Sequence, residues 1–224
     1  MVAPEIQRTR IENRLPVARE GIPFILLGTA LTILSIWLGF LSLFVILSLV
    51  TAFVTYFFRD PERVPEETGH AVLSPADGRV LKTVSLTDTD NPFGSPCQEV
   101  SIFMSLFNVH VNRAVASGVV TDVVYHEGRF FSANLDKASD LNERNGITIE
   151  TPEGRTLVVV QVAGLVARRI ACWVGPGDRL VAGQRFGLIR FGSRLDVYVP
   201  EDVRITARAG QRVKAGQSVI GYLA

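Results

Sequence analysis

Between Gly21 and Phe58 the chain runs for 38 residues without an Asp, Glu, Lys, Arg or His. Nothing else in the sequence restricts the fold so sharply. One helix of that length would measure ~57 Å at ~1.5 Å per residue, nearly twice the ~30 Å hydrocarbon core of a bilayer. Two helices, over about 22–39 and 42–58, fit better, with Gly39 and Ser42 marking a tight turn between them. Arg8, Arg10, Arg14 and Arg19 precede the run, and Arg59 and Arg63 follow it. Basic residues at both ends put both on the cytoplasmic face, which a hairpin satisfies and a single span does not. A cleaved signal peptide is the poorer reading: the stretch is too long, starts late and lacks a small-residue cleavage site. One long tilted helix is the other alternative. The expected organisation is a cytoplasmic segment over 1–20, a membrane hairpin over 21–58 and a soluble domain over 59–224.

That domain carries 19 basic and 19 acidic residues, a balance that leaves no nucleic-acid footprint. Cys97 and Cys172 are lone thiols, without the spacing of a metal site or redox pair, and fit a reducing compartment. Beyond the proline-punctuated exit Arg59-Asp60-Pro61-Glu62-Arg63-Val64-Pro65 the pattern becomes short β-branched runs between turns. Residues 78–84, 100–104, 118–125 and 156–162 read as strands. Residues 131–144 are polar and suit one short helix or a structured loop.

A repeat closes the chain. Gly177-Asp178-Arg179-Leu180-Val181-Ala182-Gly183-Gln184 matches Gly210-Gln211-Arg212-Val213-Lys214-Ala215-Gly216-Gln217, 33 residues later. Each unit reads as strand-turn-strand with glycines at positive φ. With Ser74-Pro75-Ala76-Asp77-Gly78-Arg79-Val80 as a third related element, they predict a mainly β fold. The expected fold is a small β-sandwich, similar to the lipoyl/biotinyl barrel-sandwich, preceded by an N-terminal transmembrane helical hairpin.

The candidate chemistry centres on Gly192-Ser193, inside the strand-like stretch from Leu188 to Tyr198. As a dipeptide it is ordinary turn material. No Gly-x-Ser-x-Gly elbow surrounds it, so a hydrolase nucleophile is poorly supported. The sharper reading is self-cleavage. The Ser193 hydroxyl attacks the unhindered Gly192 carbonyl, with a base to activate it and donors to stabilise the intermediate. His110, in the apolar stretch Met104 to Arg113, is a core histidine or a general acid/base. Asp77 is first a turn residue beside Gly78, and second a group that orients a histidine or activates Ser193. His70 and His126 read as structural or surface residues. Asp136-Lys137-Ala138 has the look of a lipoyl-attachment tip but lies outside the repeat hairpins, which argues against lipoylation.

Taken together these pieces resemble the short, membrane-associated type of phosphatidylserine decarboxylase proenzyme. The resemblance rests on Phe57-Phe58-Arg59-Asp60-Pro61-Glu62-Arg63, Leu73 to Gly78, Phe103 to Arg113, Asp136 to Ser139, Asn142 to Asn145, Ala167 to Ile170 and Arg190 to Arg194, in that order. It implies cleavage between Gly192 and Ser193 into a β chain, 1–192, and an α chain, 193–224, which stay together as a heterodimer. Ser193 would become a covalent pyruvoyl group that forms a Schiff base with the amine of phosphatidylserine. The products would be CO2 and phosphatidylethanolamine, made at the cytoplasmic side of the cell membrane, with no metal. By motif position Asp77 would help maturation and His110 would serve cleavage and proton transfer. Longer members carry two histidines, three apart, where this chain has His110 and Arg113. Arg113 and Asn112 are therefore candidates for holding the substrate, Arg113 because a guanidinium suits bidentate anion contacts. The same site would suit an ether-lipid (archaetidylserine) substrate. From another class, a membrane-anchored barrel-sandwich adaptor remains, although no heptad run accompanies it. Higher oligomers stay open.

Overall fold

Residues 15–89, 91–128, 142–164, 170–190 and 193–223 are described by a computed structural model. The chain separates into two units, one over Glu12–Glu62 and one from Arg63 onward.

The first unit is a helical hairpin. Helix α1 spans Ile22–Trp37, entered through a 3-10 turn at Arg19–Gly21 with Pro23 in its first turn, and α2 spans Leu41–Phe57. The reversal falls at Gly39 (φ 79°), a left-handed conformation that costs glycine nothing, while Ser42 lies within the first turn of α2. The helices approach closely where Gly28 faces Thr51; a Cβ on Gly28 would sit 2.5 Å from Thr51 Oγ1. The chain entering and leaving the hairpin pairs with itself: Ala18 N–H donates to Phe58 O at 2.7 Å, and Asp60 N–H to Pro16 O at 2.8 Å. Phe24 stacks on Phe58 with ring centroids 5.9 Å apart. Most large side chains on the hairpin face outward, Trp37 with 80% of its surface exposed. Arg19–Trp37 is long and apolar enough to cross a membrane, whereas Leu41–Phe57 is a shorter apolar helix.

The second unit is mainly β, as the alternating sequence pattern predicts. An eight-stranded antiparallel sheet has the order β13(Arg212–Val213), β2(Gly78–Leu86), β3(Cys97–Met104), β11(Ser193–Pro200), β7(Thr156–Ala163), β6(Arg144–Glu150), β5(Gly118–His126), β9(Arg179–Leu180). Two three-stranded sheets accompany it. One is β1(Ala71–Leu73), β14(Val219–Tyr222), β12(Arg204–Ile205); the other is β4(Val111–Arg113), β10(Arg185–Ile189), β8(Ile170–Cys172). Ile102, Leu195, Val197, Val159, Leu188 and Phe186 are all fully buried, and all but Leu188 meet in one apolar core.

The repeat explains the architecture. All four of its glycines take positive φ: Gly177 (93°), Gly183 (79°), Gly210 (85°) and Gly216 (66°). Gly177 N–H donates to Val120 O and Val120 N–H to Asp178 O; Gly210 N–H donates to Val80 O and Val80 N–H to Gln211 O. Gly183 N–H bonds Ala114 O as Gly216 N–H bonds Ser74 O. The unit is thus two similar halves, 71–80 with the second repeat and 111–120 with the first. The two turns cross where Gly183 meets Gly216, with little space for a side chain: a Cβ on Gly183 would be 3.1 Å from Gly216 O.

Candidate active site

Strand β10 ends at Ile189 in one sheet and β11 begins at Ser193 in another, so the chain passes from sheet to sheet between those two residues. Gly192 lies outside the described residues, as do Asp136 to Ser139, Ala167 to Arg169 and most of the polar 131–144 stretch. On the arrival side Ser193 stands between Met104 of β3 and Ala163 of β7. It is fully buried, and its Oγ has no hydrogen-bond partner among the described residues. A buried hydroxyl in that condition is costly, of order 1–3 kcal/mol, which singles it out from ordinary core serines.

On the departure side Ile189 N–H donates to His110 O at 3.4 Å, so His110 flanks the strand that leads into the crossover. His110 is fully buried. Its Nδ1 lies 3.0 Å from Asn108 O, a contact that requires the proton on Nδ1 and makes Nε2 the basic nitrogen of the neutral ring. His70 and His126 are both exposed.

Asp77 occupies the turn between β1 and β2. Gly78 packs on the Phe103 carbonyl, one residue before Met104, so Asp77 enters the sheet two strands from Ser193, roughly 10 Å at ~4.8 Å per strand. Its Oδ1 accepts from Ala215 N–H at 2.8 Å, and its Oδ2 from Arg63 Nη2 at 3.1 Å. Arg63 also donates to Gln217 Oε1 at 2.7 Å. In the other half of the fold, Ser117 Oγ accepts from Ala182 N–H at 3.0 Å in the matching turn. A hydroxyl therefore meets the backbone need of this turn, and the charge of Asp77 goes instead to its pair with Arg63.

Arg113 and Asn112 leave β4 in opposite directions, as successive strand residues must. Arg113 is buried at the crossing of the repeat turns: its Nη1 donates to Gly183 O at 2.9 Å, and Gly216 lies against its Cδ. Asn112 is also buried, and its Oδ1 accepts from Gln161 Nε2 at 2.8 Å. Gln161 Oε1 in turn accepts from Asn145 Nδ2 at 3.1 Å, directly across from β6. Gly187 makes room for this chain, since a Cβ there would lie 2.9 Å from Gln161 Nε2. Asn142 belongs to the same region, donating to Ala163 O at 2.7 Å. The Asn142-Glu143-Arg144-Asn145 motif thus secures the strand beside Ser193.

Sequence reasoning misses Gln161. Its signal is there: one amide inside the apolar strand Leu157–Ala163, which burial obliges to find partners. Arg194 and Asp196 escape it too. They face the opposite side of the sheet from Ser193 and form a buried pair with Nε to Oδ1 at 2.9 Å. Burial pushes the Asp196 carboxyl up, with Arg194 pulling it partly back. Beside it Ser101 donates to Glu99, and Lys82 pairs with Glu99 at 3.1 Å. Burial also pushes the Cys97 thiol up to about 11 and raises that of Cys172, so neither is poised as a nucleophile. Among the described residues no cluster of three or more His, Cys, Asp or Glu could hold a metal ion.

The family model for phosphatidylserine decarboxylase matches residues 50–221. A phosphatidylserine decarboxylase proenzyme of Syntrophus aciditrophicus (strain SB) is 48% identical over 209 residues, covering 92% of this chain and 96% of the relative. One of Desulfotalea psychrophila (strain LSv54 / DSM 12343) is 43% identical over 213 residues, 95% of this chain and 99% of the relative. One of Geobacter sp. (strain M21) is 48% identical over 216 residues, 93% and 97%. With near full-length coverage and a buried serine at a sheet-to-sheet crossover, the chain belongs to the phosphatidylserine decarboxylase proenzyme family.

Proposed function

We propose that this protein is a carboxy-lyase of phospholipid biosynthesis, converting phosphatidylserine to phosphatidylethanolamine and CO2, and that it matures by cutting itself between Gly192 and Ser193. The observation that carries the reading is Ser193: a buried hydroxyl with no partner among the described residues, at the crossover that His110 flanks. In maturation Ser193 Oγ attacks the preceding carbonyl as its proton passes to His110. The acyl group moves from nitrogen to oxygen, giving an ester. Loss of the Cα proton of residue 193 expels the carboxylate of residue 192 and leaves a dehydroalanine. Its tautomer is hydrolysed by water, releasing ammonia and leaving a pyruvoyl group.

The surroundings of Ser193 suit that small uncharged group, since Met104 and Ala163 flank it and no charged side chain is opposed to it in either ladder. The group supplies a ketone that takes up the substrate amine and, with its adjoining amide carbonyl, holds the electron pair freed as CO2 departs. His110 then returns a proton to the substrate carbon as the general acid. Asp77 assists maturation from the neighbouring turn. An anion-binding role for Arg113 finds less support, because its guanidinium already serves the turn crossing.

The apolar hairpin suits this substrate. Each acyl CH2 holds a lipid in the bilayer by about 0.8 kcal/mol, so an anchored enzyme takes in the headgroup alone. Basic residues on both flanks support a cytoplasmic-membrane protein with its β domain on the cytoplasmic side.

Intact mass of the purified full-length protein tests the reading, together with release of CO2 from phosphatidylserine in detergent micelles. Two chains are expected, 1–192 and 193–224, the smaller starting in a ketone-bearing residue, and a Ser193→Ala precursor should stay whole. Equal fragments from Ser193→Ala and wild type would sink the mechanism.

A further inference from the structure

Asn112 is held in an unusual way. Its Oδ1 accepts from Gln161 on β7, so its amide group must point Nδ2 away from that strand. There Nδ2 meets Met104 Sδ on β3 at 3.9 Å, a weak acceptor for a fully buried donor. Strand β11 runs between β7 and β3. A side chain bonded to one and reaching the other lies across β11, where the residues facing the core are Ser193 and Leu195. Two buried and poorly satisfied groups, the Asn112 amide N–H and the Ser193 hydroxyl, thus share the surroundings of Met104. In an extended run Asn112 also falls on the same side as His110, two residues earlier.

We propose that Asn112 Nδ2 is the donor that stabilises the negative charge developing on oxygen beside Ser193 during self-cleavage. Gln161 and Asn145 are positioning residues that fix its amide in the donating orientation. The inference rests on the self-cleavage reading above. Its physical content is preorganisation. An amide of either orientation would fill the same space, but only one presents N–H to a forming oxyanion. Asn145 donates to Gln161, which obliges Gln161 to donate to Asn112, which obliges Asn112 to present its own N–H toward β11. The orientation is set at β6 and delivered at β11, across one intervening strand. Nothing in this chain of amides titrates. The ionisable neighbours are His110 before β4, Arg113 on β4, Arg185 on β10 and Cys172 on β8; Arg144 of β6 and Arg194 and Asp196 of β11 face the other side of the sheet.

The test follows cleavage of freshly synthesised full-length precursor on gels, with the protein inserted into lipid nanodiscs, between pH 6 and 10. Asn112→Asp keeps the acceptor for Gln161 and removes only the N–H. It should cleave about a hundredfold more slowly at alkaline pH, the usual loss for a missing oxyanion donor, and recover as pH falls and the carboxyl gains a proton. Gln161→Glu should behave alike, because an ionised carboxylate at position 161 cannot donate and turns Asn112 around. Wild type, which has no carboxyl in this chain of amides, should show no such recovery as pH falls. Gln161→Met should be slow at every pH. Melting temperatures identify a variant that fails to fold, in which case the other acidic variant decides. Either folded acidic variant cleaving within about threefold of wild type across the range overturns the proposal, as does a loss independent of pH in both. A wild-type chain that never cleaves overturns the decarboxylase reading instead.

Discussion

At the scale of single residues, the two halves of the β unit act as controls for each other. Asp77 and Ser117 cap matching turns, each accepting one backbone N–H. Asp77→Ser keeps an acceptor for Ala215 N–H but releases Arg63, so it should cost about 1–3 kcal/mol in thermal denaturation, while slowing maturation of the precursor. A drop in stability without a change in cleavage would reduce Asp77 to a turn residue. Arg194 and Asp196 invite a different comparison. Arg194→Met strands a buried carboxylate and should cost about 3–5 kcal/mol in thermal denaturation. The double variant Arg194→Met/Asp196→Leu should regain most of that, because an apolar pair needs no compensation. Ser193, His110 and Asp77 stand out in the sequence because each has a distinctive chemistry in a short motif. Gln161 does not, because its meaning comes from Asn112 and Asn145, 49 and 16 residues away, and only the sheet brings them together.

Among the elements, the hairpin and the repeat are the most legible. An uncharged run leaves few options, and four glycines at fixed spacing betray turns that only glycine makes easily. The crossing of those turns gives a graded expectation. Gly210 (φ 85°) has nothing within 4 Å of where a methyl would sit, so Gly210→Ala should cost only the left-handed backbone penalty of about 1–2 kcal/mol. On Gly216 (φ 66°) the same methyl would lie 2.6 Å from Arg113 Cδ and 3.1 Å from Gly183 Cα. Gly216→Ala should cost clearly more in the same denaturation experiment, and the two being equal would mean the crossing has slack. The partner of 74–80 in the other half, 114–120, is not legible. Ser74-Pro75-Ala76-Asp77-Gly78 and Ala114-Val115-Ala116-Ser117-Gly118 share small residues and a glycine, and their equivalence lies in backbone hydrogen bonds rather than in side chains.

For the molecule as a whole, the place of β11 matters most. It is an interior strand, paired along its length with β3 on one side and along most of it with β7 on the other. The residues after it add β13 to β2 and set β14 between β1 and β12. Once the bond before Ser193 is cut, the short fragment is still laced into the sheets at three places, and departure would mean unravelling the core. The two chains should therefore elute together in molar salt and separate only in denaturant. A free small fragment on gel filtration would contradict the topology. An ordinary two-chain enzyme obeys mass action, and thinning it out eventually disarms it. On the proposed cleavage, the partners would be born in equal number, already assembled, from one translation product. Activity per molecule should stay constant on serial dilution down to the lowest concentration that can be assayed. A cell making this protein would have no stoichiometry to regulate.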